Sequence, residues 1–147
     1  MIRFYRVLAI CLLGLLITLA SGCSNEETAS TLARRVGEAD RVIISSKYAD
    51  VSRPPLQLTT EEAKRLVQAV ADAEKKGPVT ATPELLFRFF KGTNVVAEFN
   101  AGVTVFWIDH GPDPKQPGLW RASTYLDRSG TLEMLSGKFW YRDQIGK

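Results

Sequence analysis

Leu85-Leu-Phe-Arg-Phe-Phe-Lys-Gly-Thr-Asn94, continuing as Val95-Val-Ala-Glu-Phe-Asn-Ala-Gly-Val-Thr-Val-Phe-Trp-Ile108, decides the fold. Its β-branched and aromatic runs, broken twice by turn-forming triplets, predict three strands: Leu85–Phe90, Val95–Phe99 and Val103–Ile108. Gly92-Thr-Asn94 and Asn100-Ala-Gly102 each suit a three-residue hairpin loop ending on a left-handed residue. The first loop sets Phe89 opposite Ala97, Arg88 opposite Glu98 and Phe87 opposite Phe99. The second sets Phe99 opposite Val103, Ala97 opposite Val105 and Val95 opposite Trp107. One face then collects Leu85, Phe87, Phe89, Val95, Ala97, Phe99, Val103, Val105 and Trp107. The other carries an Arg88–Glu98 pair among Leu86, Phe90, Val96, Phe106 and Ile108. A one-residue slip would exchange the faces, so the register matters for everything built on it.

Upstream, Thr59 with Glu62 three residues later forms a capping box, and Leu58 with Ala63 is placed as a hydrophobic staple. A helix over 60–76 follows, its apolar stripe made by Ala63, Leu66, Val67, Val70 and Ala73. Glu61 and Glu62 suit its positive end and Lys75 and Lys76 its negative end, with Gly77 as the cap. A short helix over 32–39 and a strand over 41–46 precede it. Downstream, 118–126 and 131–135 pair as a hairpin through Arg128-Ser-Gly130, setting Leu126 opposite Leu132 and Thr124 opposite Met134. Phe139-Trp-Tyr141 reads as a last strand. The fold class is therefore α+β, one main helix packed on an antiparallel β-meander. This order of elements resembles the cystatin-like and β-lactamase-inhibitor-like architectures, an analogy of layout that implies no function.

The first 22 residues stand apart in composition. Arg3 and Arg6 make a basic start without acids, and Val7–Ala20 is an apolar run of 14 residues. That run is shorter than the roughly 20 residues a spanning helix needs, and it suits a secretory leader. Leu19-Ala-Ser-Gly-Cys23 then places small residues before a cysteine. Residues 1–23 resemble the signal peptide and lipobox of bacterial lipoproteins. The resemblance implies that Cys23 takes a diacylglycerol and becomes the first residue after cleavage. It divides the chain into a leader over 1–22, a lipidated tether over 23–31 and a single domain over 32–147. By the same resemblance, Ser24 favours the outer membrane, facing the periplasm. In a host with a single membrane, the domain would lie on its extracellular face. Cys11 would leave with the leader, so no thiol remains for disulfides or catalysis.

Removing the leader also changes the charge. The whole chain carries +3, but without Arg3 and Arg6 there are 17 Lys and Arg against 16 Asp and Glu, a net +1. Nucleic-acid binders need a concentrated basic face, and that class loses its support. With 3 Trp, 4 Tyr and 7 Phe in 147 residues, the chain is also unlike a disordered one.

The sole histidine, His110, lies in Asp109-His-Gly-Pro-Asp-Pro114. A general base oriented by Asp109, or a metal site of Asp109, His110 and Asp113, would use that proximity. A Gly/Pro-rich turn explains the same composition, and His110 is assigned to one. One histidine without a free cysteine is a poor zinc donor set, and no glycine-rich phosphate loop exists. No metal, cofactor or catalytic residue is expected. The rings of Phe90 and Phe106, with Val96, Trp120 and Trp140, could stack on sugars or receive a partner protein. A cover from 32–48 or the C-terminus would instead make them a second core layer. The expected function is a membrane-anchored envelope protein with a non-enzymatic binding or accessory domain. The alternative is an envelope-acting hydrolase carried by Asp109, His110 and Glu133.

Overall fold

The computed structural model describes residues 27–48, 53–79 and 81–142. The leader and Cys23 lie outside these residues. In chain order the elements are α1 (Ala29–Val36), β1 (Arg41–Ser46), β2 (Leu56–Gln57), α2 (Thr60–Ala71) and β3 (Glu74–Lys76). Then come β4 (Leu85–Lys91), β5 (Asn94–Ala101), β6 (Val105–Pro112), β7 (Trp120–Leu126) and α3 (Thr131–Tyr141). The strands form one antiparallel sheet ordered β2-β1-β4-β5-β6-β7-β3, with the meander β4–β7 at its centre. Among the described residues three helices pack with it, one more than the main helix and the short helix expected over 32–39, and the α+β class holds.

The β4–β5 register is the one the sequence predicts: Phe87 faces Phe99, Arg88 faces Glu98 and Phe89 faces Ala97. The turn is built differently. Lys91 pairs with Asn94, leaving a two-residue loop whose first residue, Gly92, has φ +61°. Glycine-first hairpin turns require that conformation. A bulge between Phe89 and Phe90 absorbs the difference, turning Val95 out to solvent.

The β5–β6 register departs from the expectation. Asn100 pairs with Trp107 and Ala101 with Phe106, an odd shift that exchanges the faces of β6. Phe106 and Ile108 enter the core, each 1% exposed, while Val103 is exposed and Trp107 half-buried. Both parities of this strand are apolar, so alternation alone does not choose between them. Packing does: Phe106 lies 4.9 Å from Phe99 and 5.3 Å from Tyr125, ring centre to ring centre. Phe87 stacks on Phe99 at 5.1 Å, completing an aromatic row across four strands. Helix residues Leu32, Val36, Leu66, Val70, Leu132, Leu135 and Phe139 belong to the same core.

Helix α2 starts where its capping box predicts. Thr59 accepts from the Glu62 amide, and Glu62 accepts from the Thr59 amide at 2.8 Å. It stops five residues short of the expected end, at Ala71, with Asp72 as the cap. Glu74–Lys76 instead pairs with Thr124–Leu126 as an edge strand. Lys138 of α3 also bonds Glu62, tying α2 to α3. Burial alone would raise the Glu62 carboxyl. Hydrogen bonds from Lys138 and from the Thr59 amide and hydroxyl, with the Lys138 charge, outweigh burial and hold it below its ordinary value. The unfolded chain therefore binds more protons in that window. This contribution is complete above the ordinary carboxylate pKa and is lost as pH falls through the lowered one. Thr59→Ala is expected to cost ~1 kcal/mol, within about 0.5–2, as a lower denaturant midpoint at pH 7. Glu62→Gln is expected to flatten part of the acid slope of the parent.

The segment 131–141 forms helix α3, not a strand pair. Its buried residues Leu132, Leu135, Ser136 and Phe139 keep helical spacing. Residues 29–31, expected in the tether, are the first turn of α1, with Thr28 as its N-cap.

Candidate functional site

The helices cover the sheet face that carries Val42, Ile44, Phe87, Phe89, Phe99 and Phe106. Register places Ile43, Arg88 and Glu98 on the other face, with Leu86, Asn100, Trp107 and Thr124 in the next row. The Arg88–Glu98 pair is exposed and weak, 3.4 Å apart. The expected patch of Phe90, Val96 and Phe106 does not form. Phe106 is in the core on the opposite side. Phe90 is half-buried beneath the Arg41 guanidinium, 4.7 Å from its ring centre. Val96 is half-buried, and its carbonyl accepts from Arg35 Nε at 3.0 Å. Trp140, also considered for this face, lies on α3 against Phe139 at 5.0 Å, with its indole N–H buried and without a hydrogen-bond partner among the described residues.

Trp120 does lie on the open face, and it is 65% exposed. Strands β6 and β7 pair Asp109 with Ala122 and Pro112 with Trp120, across a bulge between Asp109 and Gly111. This brings the Trp120 indole N–H onto Asp109 Oδ1, which also accepts from the Gly111 amide at 2.8 Å. Gly111 takes φ +79° at the bulge, a conformation that suits glycine. Beside the Asp109–Trp120 pair is a cleft of about 180 Å³. Trp107 and Trp120 line it, with Ala122, Asn100 and Lys47 also on its surface. Sequence reasoning named Trp120 but missed Trp107 and the bond to Asp109. Only the alternation of Trp107 and Asp109 within β6 could have signalled it.

His110 lies in β6 at the bulge, not in a turn. Its Nε2 is 2.8 Å from Ser123 Oγ, a contact the sequence reading did not foresee. Asp109 does not orient it, because that carboxylate serves Trp120 and Gly111 on the other face. Glu133 is exposed in the first turn of α3. Among the described residues, no three His, Cys, Asp or Glu side chains gather closely enough to hold a metal ion. Among the same residues, no helix is long and apolar enough to cross a membrane.

A larger groove, about 540 Å³, lies between α1, β1, β2 and α2, with Val42, Leu58 and Val67 inside and Asp40, Thr59 and Lys64 also lining it. Its size falls within the roughly 300–1,000 Å³ of small-ligand sites. Its apolar floor is already closed, however, since Val36, Val42 and Leu58 are all buried. No protein-family model, curated protein or solved structure matches this chain.

Proposed function

We propose that this chain is a lipid-anchored protein of the bacterial cell envelope whose domain binds a ligand without turning it over. The observation that carries the binding half is the exposed Trp120 ring, held by Asp109 beside an open cleft. Leaving a large indole in water forgoes the stabilisation its burial would give. A carboxylate that fixes such a ring fits a binding platform better than an idle surface. The anchoring half rests on residues 1–23. With Thr28 capping α1, the residues between Cys23 and Thr28 could separate lipid from fold by at most about 18 Å. The domain would be presented at the bilayer surface, on the periplasmic side of the outer membrane by the Ser24 resemblance.

Cys23→Ala tests the anchor. The variant is expected to lose its lipid mass and to leave the membrane fraction. Retention of lipid label with maturation at residue 23 would refute the reading. One specific contact favours a hydrolase as the second reading, the hydrogen bond between His110 and Ser123. In a strain lacking the protein, Ser123→Ala is expected to restore the cellular role and Trp120→Ala to fail. The reverse pattern would select the hydrolase.

A further inference from the structure

We infer that the Trp107–Trp120 cleft is a saccharide subsite, taking one pyranose ring of a neutral glycan on the Trp120 indole. This rests on the reading of the cleft as a ligand site and names the ligand class for it. The Trp120 ring is exposed yet fixed, because its N–H is held by Asp109 Oδ1. A platform set in advance loses little freedom on binding. An indole face is electronegative at its centre. One side of a pyranose ring is a sheet of C–H bonds with the opposite polarity, so the two stack. The ring's edge is a set of hydroxyls, each donor and acceptor at once. Asp109, Asn100 and Lys47, which carry an acceptor carboxylate, an amide and a donor ammonium, all line the cleft and suit that edge. Among the described residues, both hydrogen bonds to Asp109 go to Oδ1, and Oδ2 is the oxygen offered to a ligand hydroxyl.

Size and charge narrow the class. At about 180 Å³ the cleft is smaller than the roughly 300 Å³ of the smallest drug-sized pockets, room for one ring rather than two. A phosphate ligand would meet the Asp109 charge. An aliphatic ligand would strip water from Asp109 and Asn100 and return no hydrogen bond. A proline-rich peptide is the remaining stacking partner, and the experiment includes it.

The full-length chain, ¹⁵N-labelled and extracted in a sugar-free zwitterionic detergent, is titrated with cellotriose, chitotriose, maltotriose and, separately, decaproline. The signals read are the indole N–H resonances of the 3 tryptophans. At least one trisaccharide is expected to move the Trp107 and Trp120 resonances, leave that of Trp140 in place and saturate in the millimolar range. Trp120→Ala is expected to weaken this binding at least tenfold while melting like the parent, and Trp120→Phe to recover part of it. Ala122→Leu, which fills the cleft without touching a polar group, is expected to act like Trp120→Ala and serves if that variant fails to fold. The inference is overturned if no trisaccharide moves these resonances, if both cleft variants bind like the parent, or if decaproline alone binds. The lipid mass of Cys23 is measured on the same extract, so a missing anchor and a missing sugar site are read separately.

Discussion

Phe106→Asp is expected to leave the protein without a cooperative thermal transition at neutral pH. The ring is 1% exposed and packs between Phe99 and Tyr125. Emptying such a site costs about 3–5 kcal/mol. A carboxylate put there without a partner adds several kcal/mol or stays protonated. The total approaches the roughly 5–15 kcal/mol that holds a domain of this size together. Phe106→Leu, which keeps an apolar side chain, is expected to cost only about 1–3 kcal/mol and to retain a sharp melt. On the open face, Arg88→Ala is expected to change stability by less than about 0.5 kcal/mol, because its ion pair is solvated. A stable Phe106→Asp protein would mean that β6 presents its other parity to the core, and the cleft of Trp107 and Trp120 would then not exist.

The second large effect is expected at Asp127, which is 6% exposed where β7 gives way to α3. Its Oδ2 accepts from the Leu132 amide at 2.7 Å, and its Oδ1 accepts from the Ser129 amide at 2.8 Å and from the Ser129 hydroxyl. Gly130, at the N-cap position, has no side chain to do this, so Asp127 caps the helix from three residues further back. Asp127→Ala strands two amide donors in a partly dry site, each worth about 1–3 kcal/mol when unpaired. Allowing for water reaching one of them, the expected loss is about 2–4 kcal/mol in urea unfolding. Asp127→Asn keeps acceptor oxygen for one amide and is expected to lose roughly half as much. Hydrogen exchange at Leu132 localises the effect. If that amide is no faster in Asp127→Ala, the start of α3 is held by something else.

Both predictions concern places where residue pattern and fold part company, and the reason can be named. The segment 131–141 satisfies two periods at once: alternation suggested strand pairs with 124–126, while Leu132, Leu135, Ser136 and Phe139 keep helical spacing. The choice depends on whether the outer edge of β7 is free. It is not, because Glu74–Lys76 pairs with Thr124–Leu126, the residues the hairpin would have used. With that edge occupied, the segment gains most by coiling and burying its helical stripe.

What the sequence determined by itself was local. The Thr59–Glu62 box placed the start of α2, because both hydrogen bonds lie within four residues. The strand Arg41–Ser46 and the pairing of Phe87, Arg88 and Phe89 with Phe99, Glu98 and Ala97 were legible too, since a short turn leaves few registers. Long-range competition decided the rest. The register of β6 was set by an aromatic row drawn from four strands, which no window of sequence contains. The candidate site came with it: Trp107, Asp109 and Trp120 share one cleft only because β6 turns Trp107 and Asp109 to the face away from the helices and the bulge before Gly111 brings β7 into step. His110 met Ser123 by the same pairing, thirteen residues apart along the chain. Hydrogen bonds and caps act over a few residues and can be read in order. Which face of a two-sided apolar strand is buried is a property of everything packed against it.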